Sequence, residues 1–276
     1  MSIGASPMTD ITTSSITCAG GLPAFVAAPA DASRKVPVIV VLHERYGYVE
    51  AHFADLTRRF AREGYVAIAP DLFYKHPDQD ALHRGEVVYR MTDPESVVYM
   101  NAALDALKEL PQADLSRIAV MGVCQTGRHP IVLAAARPIS AALVWYGAGQ
   151  PKEFEATERY PVALEDLMAR LDCPVLGHFG EADHLISIDH VRRFRAGLER
   201  HGKTFKIRIY RDAPHGWLNN AMPGRYREDT AEQALADQSV FLREVMSPDY
   251  DRSRVVQRYS ADISADYDFS KNVRQA

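Results

Sequence analysis

The sequence is poor in cysteine and lacks several features that would place it in other classes of protein. Its 276 residues include three cysteines, an odd and widely separated set that does not form a disulfide framework. No apolar run approaches the roughly 20 residues needed to span a bilayer. Residues 1–15 contain no basic stretch followed by an apolar core, so we expect no signal peptide. These absences together suit a reducing cytoplasm, which is the localisation that we expect.

Basic tracts are also missing. The formal net charge is −4, which argues against nucleic acid as a partner. The polar segment 72–96 contains His76 and His83, but no clean ligand spacing accompanies them, and we expect no metal and no other cofactor. The expected partner is a small-molecule substrate, with neither a nucleic acid nor a membrane.

Strand-like and helix-like segments alternate along most of the chain, which predicts an α/β fold with a largely parallel sheet covered by helices on both faces. The length fits one large domain, which we place at residues 1–248. The first two strands are expected to pair antiparallel at one edge. Strand-like segments lie near residues 14–18, 23–28, 36–42, 65–69, 117–121, 141–146, 174–179 and 205–210.

The composition changes after Pro248. Residues 249–276 contain few large aliphatic side chains but several tyrosines and charges. Two interpretations stay open for this tail, a disordered segment or an arm that contacts a neighbouring subunit in a homodimer. The aromatic side chains of Tyr259, Tyr267 and Phe269 favour docking.

The most informative residue is Cys124. The apolar run Ile118–Met121 leads into a glycine, the cysteine follows after one further residue, and a small-residue helix is predicted from Ile131 to Ala136. A nucleophile at the apex of a sharp strand-to-helix turn is the nucleophile elbow of the α/β-hydrolases. The adjacent helix N-terminus favours negative charge and therefore a reactive thiol. The alternative is a buried structural cysteine, which is how we interpret Cys18 and Cys173.

Two further residues follow in the order that such a nucleophile needs. Asp183 comes after the predicted strand at 174–179, and His215 comes after the predicted strand at 205–210. The carboxyl ends of parallel strands share one edge, so these side chains can converge on Cys124. His215 would accept the thiol proton, and Asp183 would orient the imidazole. Alternatively, Asp183 caps the helix that begins near Ser187, and His215 bonds to backbone.

The loop after the apolar strand 36–42 occupies the place where hydrolases of this fold form part of the oxyanion hole. The backbone N–H groups of Arg45 and Gln125 are the candidate donors. The same loop carries a carboxylate, Glu44, which could also be an ordinary surface charge.

Four segments together resemble the dienelactone hydrolase (carboxymethylenebutenolidase) family of the α/β-hydrolase superfamily. They are the loop His43–Gly47, the segment Glu63–Phe73, the elbow Gly122–Gly127 and the loops of Asp183 and His215. The resemblance implies that Glu44 pairs with the thiol or the histidine at rest and that substrate displaces it. It also implies two arginines for a substrate carboxylate, with Arg84 or Arg90 as the first.

The chain departs from the family pattern at two places. Thr126 stands where the family elbow has a glycine, so the turn must accommodate a hydroxyl and a methyl group. The second arginine is not found shortly after His215, and the nearest ones are Arg225 and Arg227.

The expected function is hydrolysis of an ester or lactone bond in a small, anionic molecule by a cysteine nucleophile, with Tyr46 and Trp217 among the substrate-binding residues. Two alternatives remain open. One is a non-catalytic binding protein on a hydrolase scaffold, since a fold does not fix a function. The other is a thioesterase or carbon–carbon bond hydrolase that uses the same three residues.

Overall fold

A computed structural model describes residues 10–264, and within them nine strands form one sheet. The spatial order of the strands is β1-β2-β4-β3-β5-β6-β7-β8-β9. Their bounds are β1 Ile11–Cys18, β2 Leu22–Pro29, β3 Val36–Val41, β4 Val66–Pro70, β5 Ala113–Val123, β6 Ala141–Trp145, β7 Val175–Ala182, β8 Phe205–Pro214 and β9 Gln257–Ala261.

Helices cover both faces of this sheet. Side chains of α1 and α7 pack on one face, and side chains of α3, α4, α5 and α6 pack on the other. The expected layered α/β arrangement is therefore confirmed. The bounds are α1 Glu50–Arg62, α2 Gln79–His83, α3 Asp93–Ala106, α4 His129–Ala136, α5 Leu164–Ala169, α6 Ile188–Arg200 and α7 Glu228–Val245.

Strand β3 shows why the centre of the sheet is stable. Its β-branched residues favour extended backbone, and successive side chains point to opposite faces. Val38 and Val40 join the apolar core under α3 and α4, whereas Ile39 and Val41 join the core under α1 and α7. A strand that is buried on both faces needs this continuous apolar run.

The parallel part of the sheet determines where the site lies. Strands β4, β3, β5, β6, β7, β8 and β9 run parallel, while β1 pairs antiparallel with β2 and β2 pairs antiparallel with β4. The antiparallel edge pair was predicted and is confirmed. The segments that carry Glu44, Cys124, Asp183 and His215 all follow parallel strands, so they lie at one edge of the sheet.

The segment after α7 returns to the sheet as β9. It pairs parallel with β8, from Phe205 opposite Gln257 to Ile209 opposite Ala261. The ring of Tyr259 lies 4.3 Å below the guanidinium carbon of Arg195. The division of the chain at residue 248 and the contact with another subunit stay predictions, and the aromatic residues 267 and 269 lie outside the described residues.

None of the helices within residues 10–264 combines the length and the apolar character that crossing a bilayer requires.

Candidate active site

The turn after β5 gives Cys124 an unusual backbone. Its φ is +57°, a left-handed value that non-glycine residues seldom adopt and that recurs at functional turns. Neighbouring glycines make room for this turn. A Cβ atom on Gly122 would lie 2.3 Å from the carbonyl oxygen of Thr126, and one on Gly147 would lie 2.3 Å from that of Cys124. The predicted sharp elbow is therefore present, with the thiol at its apex.

Thr126 fits the elbow by bonding to its own turn. Its hydroxyl accepts a hydrogen bond from the N–H of Val123 at 2.9 Å and donates one to the carbonyl of Val123 at 3.0 Å. The side chain is fully buried, so both polar functions of the hydroxyl are satisfied inside the protein. The hydroxyl thus holds the turn closed at a position where the family has a glycine.

Cys124, His215 and Asp183 form one connected line. The Sγ atom of Cys124 lies 3.0 Å from Nε2 of His215, and Nδ1 of His215 lies 2.8 Å from Oδ2 of Asp183. The other oxygen of Asp183 accepts the backbone N–H groups of Leu185 and Ile186 at 2.7 and 2.9 Å. Asp183 therefore shapes its own loop and orients the imidazole at the same time.

The charges around His215 favour its protonated form. Burial alone would lower the pKa of His215, but the charges of Asp183 and Cys124, and the hydrogen bonds to both, raise it well above the ordinary value. An imidazolium in this position stabilises a thiolate on Cys124.

Glu44 is buried beside this line of residues. One of its carboxylate oxygens accepts the hydroxyl of Tyr146 at 3.0 Å, and the other accepts the side-chain amide of Asn219 at 2.5 Å. The ring of Tyr146 in turn packs edge-on against His215, with centroids 5.2 Å apart. Within residues 10–264, the hydrogen bonds of the Glu44 carboxylate thus go to Tyr146 and Asn219 rather than to the thiol or the imidazole.

His43 fixes the loop that carries Glu44. Its Nδ1–H donates to the carbonyl of Glu44 at 2.9 Å, and its Nε2 accepts the N–H of Leu72 at 2.9 Å. This pattern requires the neutral ring, and burial lowers the pKa of His43 accordingly. The neutral ring of His43 therefore links the carbonyl of Glu44 to the backbone of Leu72.

A cavity of about 350 Å³ opens over Cys124 and His215. Arg45 and Gln125 both line it, and their backbone N–H groups are the predicted oxyanion donors. That predicted role stays a prediction. The cavity also has a cationic lining, formed by Arg45, Arg90, Lys152 and Arg159.

Only one carboxylate accompanies these four cations in the lining, and it belongs to Glu153. Its Oε2 accepts the N–H of Gln150 at 2.8 Å. Burial raises the pKa of the Glu153 carboxyl, although the charge of Arg128 opposes the shift. Positive charge therefore dominates the cavity.

A model of the dienelactone hydrolase family matches residues 22–246 of the chain. The chain belongs to this family.

Individual relatives agree with that assignment. A protein of Methylorubrum extorquens named "Putative carboxymethylenebutenolidase" is 32% identical over 219 residues, which cover 77% of this chain and 73% of that protein. A Bradyrhizobium protein named "Probable 2-oxo-3-(5-oxofuran-2-ylidene)propanoate lactonase" is 24% identical over 224 residues, 80% of this chain and 88% of that protein.

A solved structure agrees as well. A "Putative Dienelactone Hydrolase" from Klebsiella pneumoniae superposes with a TM-score of 0.75 at 27% identity, covering 85% of this chain and 99% of that one. The predicted α/β-hydrolase fold is confirmed.

Resemblance to the dienelactone hydrolases gave Arg84 as a substrate-binding residue, and the structure corrects this choice. The side chain of Arg84 is 59% exposed and forms a two-pronged ion pair with Glu86, at 2.8 and 3.0 Å. It does not line the cavity. Arg90, the other candidate, does. The acidic partner two residues away holds Arg84 at the surface, outside the cavity.

Two aromatic residues predicted to bind substrate also lie elsewhere. Trp217 is fully buried, and its ring packs against those of Trp145 and Tyr210, each at a centroid distance of 5.2 Å. Tyr46 is buried below Gly85, where a Cβ would lie 2.6 Å from its ring. Trp217 thus belongs to the apolar core, and neither of the two side chains is part of the cavity lining.

Sequence reasoning missed three of the polar side chains described above. Lys152 and Arg159 lie on an irregular segment without a motif, and nothing in their spacing indicates a site. Asn219 carried a weak signal, since it lies four residues after His215 in a loop that the sequence already indicates as part of the site.

Proposed function

We propose that this protein is a cysteine-dependent hydrolase that cleaves an ester or lactone bond in a small anionic molecule. The observation that carries the proposal is the line from the Cys124 thiol at its left-handed turn through His215 to Asp183, with contacts of 3.0 and 2.8 Å. Membership of the dienelactone hydrolase family supports the reaction class.

The first step is formation of the nucleophile. His215 takes the thiol proton of Cys124 on Nε2, and Asp183 stabilises the resulting imidazolium through Nδ1. The raised pKa of His215 favours this ion pair over the neutral pair.

In the second step, the thiolate attacks the carbonyl carbon of the substrate. The carbonyl oxygen becomes an oxyanion, which the backbone N–H groups of Arg45 and Gln125 would stabilise, since both residues line the cavity that contains the thiol. The carbon–oxygen bond then breaks, and the leaving oxygen takes the proton from His215. The acyl group remains on Cys124 as a thioester, and with a lactone the leaving hydroxyl stays attached to it.

In the third step, water replaces the thiolate. His215 removes a proton from the water, and the hydroxide attacks the thioester carbonyl. The carbon–sulfur bond then breaks, which releases the acid product and restores the pair of Cys124 thiolate and His215 imidazolium. Glu44 lies close enough to influence this cycle through Tyr146, whose hydroxyl it accepts and whose ring contacts His215.

The cationic lining of the cavity supports an anionic substrate. Arg90, Lys152 and Arg159 line the same cavity as the thiol, and burial raises the pKa of the one carboxyl there, that of Glu153. The Bradyrhizobium relative is named for a lactone that also carries a propanoate group. A molecule with a lactone or ester carbonyl and a nearby carboxylate therefore fits the proposed chemistry.

The test is hydrolysis of a dienelactone, a simple lactone and para-nitrophenyl acetate by the wild type, Cys124→Ala and His215→Ala. We expect the wild type to turn over at least one of them and both variants to lose at least about 10⁴-fold in kcat, since residues of such a triad act as a unit. Circular dichroism would check that the variants are folded.

The outcomes separate the hypotheses. Full activity in Cys124→Ala would rule out the thiol as nucleophile. An inactive wild type would favour a binding protein on a hydrolase scaffold. Trapping of an acyl group on Cys124, detected by mass spectrometry after an acid quench, would support the thioester directly.

A further inference from the structure

The segment of residues 150–160, which we call the cationic wall, forms part of the cavity lining. It lies between β6 and α5, and it contributes Lys152 and Arg159 to the cavity. Its regular structure is limited to one short 3₁₀ turn at Pro151–Phe154. Neither cation has an ion-pair partner among residues 10–264, so both charges are available to a ligand. An irregular segment needs contacts from elsewhere to hold such charges in place.

Those contacts come from Arg128, the residue after the last glycine of the elbow. Its Nη1 donates to the carbonyl of Glu153 at 3.1 Å, and its Nη2 donates to the carbonyl of Val162 at 2.6 Å. Its guanidinium carbon lies 4.6 Å from the centre of the Tyr160 ring. One guanidinium thus contacts Glu153 near the start of the wall, Tyr160 at its end and Val162 just beyond it.

The same guanidinium is paired with an acid on another element. Nε and Nη2 of Arg128 donate to the carboxylate of Asp93, the first residue of α3, at 2.9–3.1 Å. The N–H of Asp93 donates to the carbonyl of Arg159 at 3.1 Å, and Nε of Arg159 donates to the carbonyl of Met91 at 2.9 Å. The wall is therefore attached to the start of α3 as well as to the elbow.

The contacts of Arg128 are better explained by the ordering of the cationic wall than by a gain in the overall stability of the protein. Arg128 is 1% exposed, and a buried ion pair often contributes little net stability because both charges lose their water. Its planar fork can serve a carboxylate and two carbonyls in fixed directions, which a lysine ammonium cannot do. Arg128 does not line the cavity, so its contacts act on the wall and not on a ligand.

We propose that Arg128 is a positioning residue for anion selectivity. It fixes the wall so that Lys152 and Arg159 meet a carboxylate of the substrate while Cys124 attacks the carbonyl. The proposal rests on the proposed hydrolase function, and it adds a residue that selects between anionic and neutral substrates. If the wall were less ordered, Lys152 and Arg159 would occupy many positions and would bind the anion less well.

The test compares Arg128→Lys with the wild type on two matched esters, neutral para-nitrophenyl acetate and anionic mono-para-nitrophenyl succinate. We expect kcat/KM for the anionic ester to fall about tenfold or more, mainly through KM, because a charge-assisted hydrogen bond contributes enough for such a change. For the neutral ester we expect kcat/KM to stay within about twofold.

Arg137→Lys is the matched control. Arg137 follows α4, and its guanidinium bonds to Asn101 at 2.8 Å, away from the cavity. The same change of side chain there should leave the ratio of the two kcat/KM values as in the wild type.

Two other results with Arg128→Lys would overturn the proposal. Equal losses on both esters from Arg128→Lys would mean that Arg128 supports the elbow, and no loss on either ester would mean that it does not order the wall. If Arg128→Lys fails to fold, the double variant Lys152→Gln, Arg159→Gln decides. An unchanged ratio of the two kcat/KM values in that variant would show that the two cations do not bind the substrate anion, which would overturn the proposal. A wild type that hydrolyses neither ester would instead count against the hydrolase function.

Discussion

The two sides of the cavity are built in different ways. On the thiol side, Cys124, Asp183 and His215 each follow a strand of the parallel sheet, and their atoms meet within 3.0 Å. On the other side, the cationic wall follows β6 as an irregular segment, and the side chain of Arg128 holds it. The backbone of the sheet determines the geometry of the thiol side, whereas the position of the wall depends on contacts between residues that are distant in sequence. Changes on the first side should therefore affect the chemistry, and changes on the second should affect which substrate is used.

After Cys124→Ala and His215→Ala, the largest effect should come from Asp183→Asn on the thiol side. The amide cannot stabilise the imidazolium of His215, so we expect kcat to fall by about 10³–10⁴-fold. Asparagine can still accept the N–H groups of Leu185 and Ile186, and the thermal unfolding temperature should change little. A loss of less than about tenfold would show that Asp183 serves mainly as a cap of its loop.

A smaller effect is expected from arginines near the opening. Arg90→Gln should raise KM for mono-para-nitrophenyl succinate about tenfold, because Arg90 lines the cavity. Arg84→Gln is the matched control and should change KM less than about twofold, since its guanidinium is paired with Glu86 at the surface. If Arg84→Gln has the larger effect, the anion binds outside the cavity described here.

Stability rather than activity should distinguish His129, which follows Arg128, from His215 on the thiol side. Whereas the pKa of His215 is raised, burial together with the charges of Arg128 and Arg159 lowers the pKa of His129 to about 3. Neither ring nitrogen of His129 has a hydrogen-bond partner within the described part of the chain. As the pH falls below about 6.5, the unfolded chain takes up this proton and the folded protein does not, so stability is lost between about pH 6.5 and 3.

His129→Leu should remove that loss. The free energy of unfolding, measured by urea titration at several pH values, should fall with acidification less steeply than in the wild type, by up to about 1.4 kcal/mol per pH unit. Parallel curves for the two proteins would mean that His129 takes up its proton as readily in the folded protein as in the unfolded chain. The sign is opposite for His215, whose raised pKa makes its contribution largest at low pH and lost as the pH rises through the folded-state pKa.

The same contrast between backbone and distant contacts explains what the sequence could predict. Alternating strands and helices, with Asp183 and His215 at strand ends, leave few ways to arrange a parallel sheet, so the positions of both residues followed from the pattern. Lys152 and Arg159 could not be found in this way. Their positions depend on Arg128 and Asp93, which lie 24 or more residues earlier in the chain.

Strand β9 was missed for a different reason. All five of its residues are exposed, so the alternation of apolar and polar side chains that indicates a strand is absent. The family pattern requires a substrate-binding arginine in the region of Arg84 and Arg90, and a spacing rule alone cannot tell the two residues apart. What separates them is the neighbouring Glu86, which pairs with Arg84.

Strand β9 also determines what the sheet presents to other molecules. Without it, the apolar strand β8, with Phe205, Ile207 and Ile209, would expose a row of unpaired N–H and carbonyl groups. Such an edge is a template for strand pairing between molecules and a route to aggregation. β9 replaces it with a short polar edge on which Arg258 is paired with Glu244. Within residues 10–264, a strand that carries none of the proposed catalytic groups therefore keeps the main-chain groups of β8 from pairing with another molecule.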